Sequence, residues 1–203
     1  MKVLNNFIIG IDEAGRGPLA GPVSVGIFSA EKKLEKWILK NIFENKLRDS
    51  KKLSPKKREE IYKKFCLLKT EGKVSFAVSH ISNKVIDKKG ISYAINYAIK
   101  NLLVNTKRSA SNMIRLDGSL KAPPEFKNQK TIIKGDEKDV FIACASIVAK
   151  VCRDRLMCQF AKKYPKYKFE IHKGYGTLLH RILIKKYGLS PLHRKSFCKN
   201  LTK

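Results

Sequence analysis

Apolar positions recur along this chain with two periods, and the switching between them lays out its strands and helices. Residues 7 to 12, FIIGID, form a short apolar and β-branched run. Residues 20 to 29, AGPVSVGIFS, form a second after a Gly- and Pro-rich turn, so the two predict neighbouring strands. Helical spacing follows over 31 to 43 through Leu34, Trp37, Ile38 and Ile42, and Ser54 before Pro55 is an N-cap signal for a helix running to about Leu67. VSFAVSHI at 74 to 81 is strand-like. Residues 91 to 104 then place Ile91, Ala94, Ile95, Ala98, Ile99 and Leu102 on one helical face, and 112 to 117 predict a strand ending in Asp-Gly. KTIIK at 130 to 134 predicts a further short strand. Phe141, Cys144, Ile147, Val148, Val151 and Phe160 support a long helix from Lys138 to about Lys163, and His180 to Tyr187 supports another before a short basic end from Ser190. No repeat or biased linker interrupts this order, which predicts an α/β fold around a central sheet.

The 203 residues, 43% of them hydrophobic, suffice for one ordinary core, so residues 1–203 are expected to form one domain and, by default, a monomer. Charge changes the picture more. Forty-four Lys and Arg against 17 Asp and Glu give a formal charge of +27, which points to a polyanionic partner, nucleic acid first. The bland alternative is a Lys-rich composition whose charges are solvated. Five scattered cysteines without a CxxC pair suggest neither a zinc site nor a disulfide framework. No apolar stretch approaches a membrane span, and the N-terminus turns polar and acidic before a signal peptide could be completed, so a cytoplasmic protein is expected.

Against this basic background the placement of the few acids is informative. Asp12 and Glu13 end the first predicted strand at a Gly-rich turn, Asp117 ends a later strand before Gly118, and Asp136 follows Gly135 just ahead of the long helix. Carboxylates arriving from separate elements suit hard cations such as Mg²⁺ and Mn²⁺, and two ions roughly 4 Å apart can clamp the attacking and leaving oxygens of a phosphodiester. Each acid also has an ordinary reading: Asp117 as a turn residue, Asp136 as a charge at a helix start, Glu13 as a loop residue.

Residues 9 to 23, IGIDEAGRGPLAGPV, closely resemble the opening motif of ribonuclease HII. Four more blocks match in the same order: DSKKLSPKKREEIY at 49 to 62, LDGS at 116 to 119, KGDEKDVFIACASIVAKVCRDR at 134 to 155, and HKGYGTLLHRILIKKYGLSPLHRKSF at 172 to 197. The resemblance implies a ribonuclease H-like fold, with a central five-stranded mixed sheet, flanking helices and a helical C-terminal part over about 156 to 203. It implies metal ligands at Asp12, Glu13, Asp117 and Asp136, the four acids already singled out. Asp154 in CRDR is expected instead to be the structural partner of a nearby Arg.

The same resemblance implies how ribose is read. The loop Gly15-Arg16-Gly17, with two residues lacking Cβ, can bring its backbone close to a nucleotide, and in the resembling family it contacts the 2′-OH that distinguishes RNA from DNA. Tyr175 in KGYGT is the second reader, packing on the sugar at an RNA to DNA junction. Ser50, Lys51 and Lys52, with Lys173, His193, Arg194 and Lys195, are candidate phosphate contacts that position a duplex without specifying it. Each phosphate neutralised would add roughly 0.9 log units of affinity loss per log unit of salt. His80, His172 and His180 lack metal-ligand spacing and are expected in packing or surface roles.

The implied activity is metal-dependent hydrolysis of the RNA strand of RNA-DNA hybrids and of the phosphodiester 5′ to a ribonucleotide embedded in DNA. It leaves 3′-hydroxyl and 5′-phosphate ends, with Mn²⁺ or Mg²⁺ in a two-metal site. Two departures from the family pattern, Gly90-Ile91-Ser92 where Asn-Ile-Leu is frequent and Cys144 where Ala is usual, lie away from the acids. Ribonuclease HIII is the nearest rival, though its loop typically reads Gly-Thr-Gly. A non-catalytic basic nucleic-acid binder would explain the charge but not four acids at element ends. The tail FCKNLTK shows no clear clamp-binding peptide.

Overall fold

β-Branched and aromatic residues dominate two hairpin strands, β1 (Phe7–Ala14) and β2 (Val23–Glu31), and β2 is buried along nearly its whole length, as a central strand covered on both faces must be. With β3 (Val74–Ile81), β4 (Met113–Asp117) and β5 (Gln129–Ile132) they form one five-stranded mixed sheet in the order β3-β2-β1-β4-β5. The β1–β2 and β2–β3 pairs are antiparallel, whereas β4 runs parallel to both β1 and β5. The computed structural model describes residues 7–47, 50, 52–106 and 112–201; Lys51 lies outside them.

Eight α-helices are described: α1 (Glu35–Asn41), α2 (Pro55–Thr70), α3 (Asn83–Lys89), α4 (Ile91–Asn105), α5 (Gly135–Lys138), α6 (Val140–Lys163), α7 (Phe169–His172) and α8 (Leu178–Tyr187). Ile8, Phe28 and Phe76 face one core with α1, α2 and α6, while Ile9, Ile11, Val25 and Ile27 face the other with α4. Helix α6 lies directly on strand backbone. A Cβ on Gly10 would fall 2.1 Å from the Phe141 carbonyl, and one on Gly26 would fall 2.5 Å from the Ala145 oxygen. This contact fixes the long helix over the centre of the sheet.

The expected elements are present, with informative differences. The segment at 31 to 43 becomes a 3₁₀ turn at Lys32–Leu34 followed by α1, and the Ser54 hydroxyl caps α2 by accepting from Lys57 N–H, as expected from Ser-Pro. The long helix expected from Lys138 breaks at Asp139, which leaves helical geometry; its carboxylate accepts from the N–H groups of Phe141 and Ile142 and pairs with Arg115 at 2.7 Å. Helix α3 and the short turns between α6 and α8 were not foreseen. The short basic end from Ser190 is tied to the N-terminal part: His193 bridges to Ala20, and Arg194 N–H donates to Leu19 O at 2.8 Å.

Candidate active site

Parallel pairing of β1 with β4 sets Ile11 beside Leu116, so Asp12 and Asp117 emerge side by side at the C-terminal ends of adjacent strands. Such ends are where open α/β sheets place ligands. Asp117 Oδ1 accepts from Gly135 N–H at 2.6 Å, which draws the first turn of α5, and with it Asp136, to the same end of the sheet. Glu13 follows Asp12 on β1. Its Oε1 accepts from Arg16 Nε at 2.9 Å, and its Oε2 is buried without a hydrogen-bond partner.

Asp12 is buried at 3% exposure. Burial raises its pKa well above the carboxylate range, and the Glu13 and Asp117 charges push it further up. A divalent cation reverses this direction, because its charge favours the ionised form of every carboxylate facing it. The donor set therefore fits a hard cation: oxygen ligands in mutual repulsion, one of them carrying an unpartnered buried oxygen. Among the described residues no three such groups are gathered closely enough to hold an ion as they stand.

Past Ala14 the chain enters the Gly15-Arg16-Gly17 loop. Gly15 has φ +89°, and a Cβ there would meet Arg153 Nε at 2.0 Å, so the protein's own packing requires this glycine. Gly17 differs, having no atom within 4 Å of where a Cβ would stand. The loop rests on two fully buried arginines. Arg194 donates to the carbonyls of Gly15 at 2.7 Å, Arg16 at 2.8 Å and Gly21 at 3.0 Å; Arg153 donates to those of Pro22, Lys173 and Ala20. Burial, and then Arg153 nearby, pulls the Arg194 pKa down to about 9, which leaves it charged at neutral pH.

Leu19 N–H donates to Gly174 O at 2.8 Å, joining this loop to the one that carries Tyr175. The half-buried Tyr175 ring lies 5.5 Å from the Arg153 guanidinium and 5.3 Å from Lys150 Nζ. Beneath it lies a histidine layer. His172 Nδ1 accepts from Gly174 N–H, so its Nε2 carries the proton and donates to Tyr167 O. His193 Nδ1 accepts from Ser190 N–H, so its Nε2 donates to His180 Nε2 at 3.0 Å, which leaves His180 Nδ1 to donate to Tyr175 O at 2.9 Å. All three rings are neutral in this network, consistent with burial lowering the pKa of His180 and of His193 to about 4.

Several expected contacts change. His193 and Arg194, expected on phosphates, are instead buried and hold loops: Arg194 donates to three carbonyls, and His193 bonds Ser190 and His180. Ser50 is buried with its hydroxyl 2.7 Å from that of Ser146. Lys52 reaches Glu137 at 2.6 Å, while Lys195 is exposed. Asp154 sits 3.6 Å from Arg58 and 2.9 Å from Lys150, the structural pairing expected of it. His172 and His180 pack inside; exposed His80 meets the Ser24 hydroxyl at 2.7 Å. Sequence reasoning missed Arg153 as a loop anchor, since an Arg within a helix carries no local sign of which carbonyls it will reach.

The family model for ribonuclease HII matches residues 9–200. The chain belongs to the ribonuclease HII family. It is 46% identical to the ribonuclease HII of Caldicellulosiruptor bescii, over 98% of this chain and 92% of that one, and 42% identical to that of Clostridioides difficile, over 96% and 71%. Among solved structures, the ribonuclease HII of Archaeoglobus fulgidus, seen in complex with PCNA, superposes with a TM-score of 0.74 at 24% identity, covering 97% of both chains. Bst ribonuclease HIII in complex with Mn²⁺ gives 0.67 at 18%, covering 92% of this chain and 64% of that one. These two likenesses establish the ribonuclease H-like fold. Family membership makes the chain a ribonuclease H hydrolase, and the matched span contains both the carboxylate end of the sheet and the Tyr175 loop.

Proposed function

We propose that this ribonuclease HII family member is an endonuclease that cleaves the RNA strand of RNA-DNA hybrids and incises DNA on the 5′ side of embedded ribonucleotides. The observation that carries the reading is the meeting of Asp12, Glu13 and Asp117 at one sheet end, beside a glycine loop whose outer glycine no protein contact explains. Asp12, Glu13, Asp117 and Asp136 would hold Mg²⁺ or Mn²⁺, two ions in all, which supply Lewis acidity toward the phosphate and lower the pKa of bound water.

The residues of the chain do the rest. Gly17 leaves open space where a sugar edge can approach the backbone, so a 2′-OH meets peptide groups there; a deoxyribose offers them nothing. Arg153 and Arg194 keep that loop and the Tyr175 loop in one frame and place two positive charges behind them. Tyr175, ordered over Arg153 and Lys150, presents its ring to the next sugar. Water attacks phosphorus, the P–O3′ bond breaks, the upstream strand leaves with a 3′-hydroxyl, and the phosphate stays on the 5′ end of the ribonucleotide. The 2′-OH is recognised and does not attack. Gly15, Arg16, Gly17 and Tyr175 are the substrate contacts, with Lys51 a phosphate contact; Ser50, its hydroxyl 2.7 Å from that of Ser146, would order the segment ahead of α2. Among the described residues no helix is long and apolar enough to cross a membrane, and we place the enzyme in the cytoplasm.

A 5′-labelled DNA duplex holding one ribonucleotide, incubated with Mg²⁺, Mn²⁺ or chelator, tests this. Incision 5′ of the ribonucleotide is expected with either metal only. Asp12→Asn should lose more than about a hundredfold of the rate while still binding the duplex, since even the outer partners of metal ligands are worth 10–100-fold. Cutting of long hybrids alone would favour the ribonuclease HIII-like alternative, and no cutting by folded protein would leave a basic nucleic-acid binder.

A further inference from the structure

Helix α4 buries Ala94, Ile95, Ala98 and Ile99 against the sheet and turns Tyr93, Asn96, Tyr97 and Lys100 outward. The rings of Tyr93 and Tyr97, 41% and 45% exposed, stack with centroids 6.0 Å apart and planes within 8°. Lys89 caps one end of the pair, its Nζ 4.5 Å from the Tyr93 ring centre. An i, i+4 aromatic pair alone is worth only a few tenths of a kcal/mol to a helix, so helix stability is a weak reason for two exposed rings.

Their surroundings point to a ligand. The pair lines a groove of about 660 Å³ whose other wall is Lys121 to Pro124, with Lys100 between, and α4 contains no acidic residue. The groove also neighbours the glycine loop. Asn96 lines both it and a smaller hollow formed with Arg16, Ser92 and Ser119, the last two residues past Asp117.

We propose that this face of α4 is a stacking platform for an unpaired nucleic-acid strand running on from the cleft. A base stacks on Tyr97 and extends the Lys89-Tyr93-Tyr97 column, while Lys100 and Lys121 take the phosphates on either side. The chemistry is that of sequence-tolerant single-strand grooves, in which flat π-faces and flanking cations suffice. Duplex DNA, whose bases are already stacked, gains nothing from the rings. The platform therefore favours ribonucleotide-containing duplexes that end in a flap, gap or fork. It rests on the reading of the Gly15–Gly17 loop as the nucleic-acid cleft, so binding and incision are to be measured separately.

The test is fluorescence anisotropy at fixed salt, with chelator present, on single-ribonucleotide duplexes that are blunt or carry an unpaired tail of about ten nucleotides at each end of each strand in turn. A tail at one end is expected to tighten binding roughly tenfold. Tyr93→Ala/Tyr97→Ala should lose that gain, and Tyr93→Phe/Tyr97→Phe should keep it. Incision of the blunt duplex, measured with metal, should be unchanged in both variants. A free single-stranded oligonucleotide bound about tenfold more weakly by the alanine variant reads the platform even if the duplex is not bound. Equal affinity for blunt and tailed duplexes, or a tail gain that survives in the alanine variant, overturns it.

Discussion

Two regions meet at the Gly15–Gly17 loop on opposite terms. On one side, Asp12, Glu13 and Asp117 crowd like charges at the end of the sheet, with Asp12 buried and Glu13 Oε2 unpartnered. On the other, Arg153 and Arg194 donate to loop carbonyls, and three neutral histidines have every ring nitrogen bonded to backbone or to a neighbouring ring. Both are polar and largely buried, so polarity and burial alone do not mark a functional site. What separates them is satisfaction: the histidine nitrogens and both guanidinium groups have partners within the protein, whereas Glu13 Oε2 has none and Asp12 is held among like charges, a strain that a cation would relieve. The first holds geometry, and the second is the half at which we propose the chemistry.

The largest expected effect breaks the complete side. Arg194→Met removes a guanidinium that holds the carbonyls of Gly15, Arg16 and Gly21, and about 3–5 kcal/mol of unfolding free energy should be lost in urea titration. Incision should fail along with it, because the loop loses its frame. Unchanged stability would mean that the layer is not what holds the loop.

Next, the two glycines separate frame from site. Gly15→Ala forces a Cβ against Arg153 at φ +89° and should cost about 1–3 kcal/mol. Gly17→Ala meets nothing within 4 Å, so its urea midpoint should stay at the wild-type value while incision at a single ribonucleotide drops by about tenfold or more. If Gly17→Ala retains full activity, the close approach of the sugar to this loop is wrong.

The same contrast governs what could be read from sequence. Asp12, Glu13, Asp117 and Asp136 stood out because acids are scarce in a +27 chain and each ends an element. The sheet was legible because short apolar, β-branched runs bounded by turn residues mark strands that are buried on both faces. His193 and Arg194 look like surface cations in a basic segment, yet they are interior, because their partners Ser190, His180, Gly15 and Gly21 are assembled from both ends of the chain. The long helix starts at Val140 and not at Lys138 because Asp139, just ahead of the apolar spacing that begins at Phe141, caps it and pairs with Arg115 of β4. Tyr93 and Tyr97 were invisible for the opposite reason: on an amphipathic helix they occupy ordinary polar-face positions.

The smallest effect is also the one in which the two regions have opposite signs. His180 and His193 titrate near 4 when folded and near 6.5 when unfolded, so between those values the unfolded chain binds more protons and the layer's contribution to stability is lost as pH falls. Asp12 is displaced the other way: its folded pKa lies above 3.8, so the folded state binds more protons and its share of stability is lost as pH rises through the raised value. Thermal melts without divalent metal, taken from pH 7 down to pH 5, should therefore show a modest fall in Tm for the wild type and a steeper one for Asp12→Asn, in which only the histidine term remains. Adding Mg²⁺ or Mn²⁺ should raise the wild-type Tm at pH 7 and leave that of Asp12→Asn nearly where it was. Parallel pH curves for the two proteins would mean that the Asp12 carboxyl is not strained by its neighbours, and the contrast between a satisfied and an unsatisfied half of the site would lose its energetic basis.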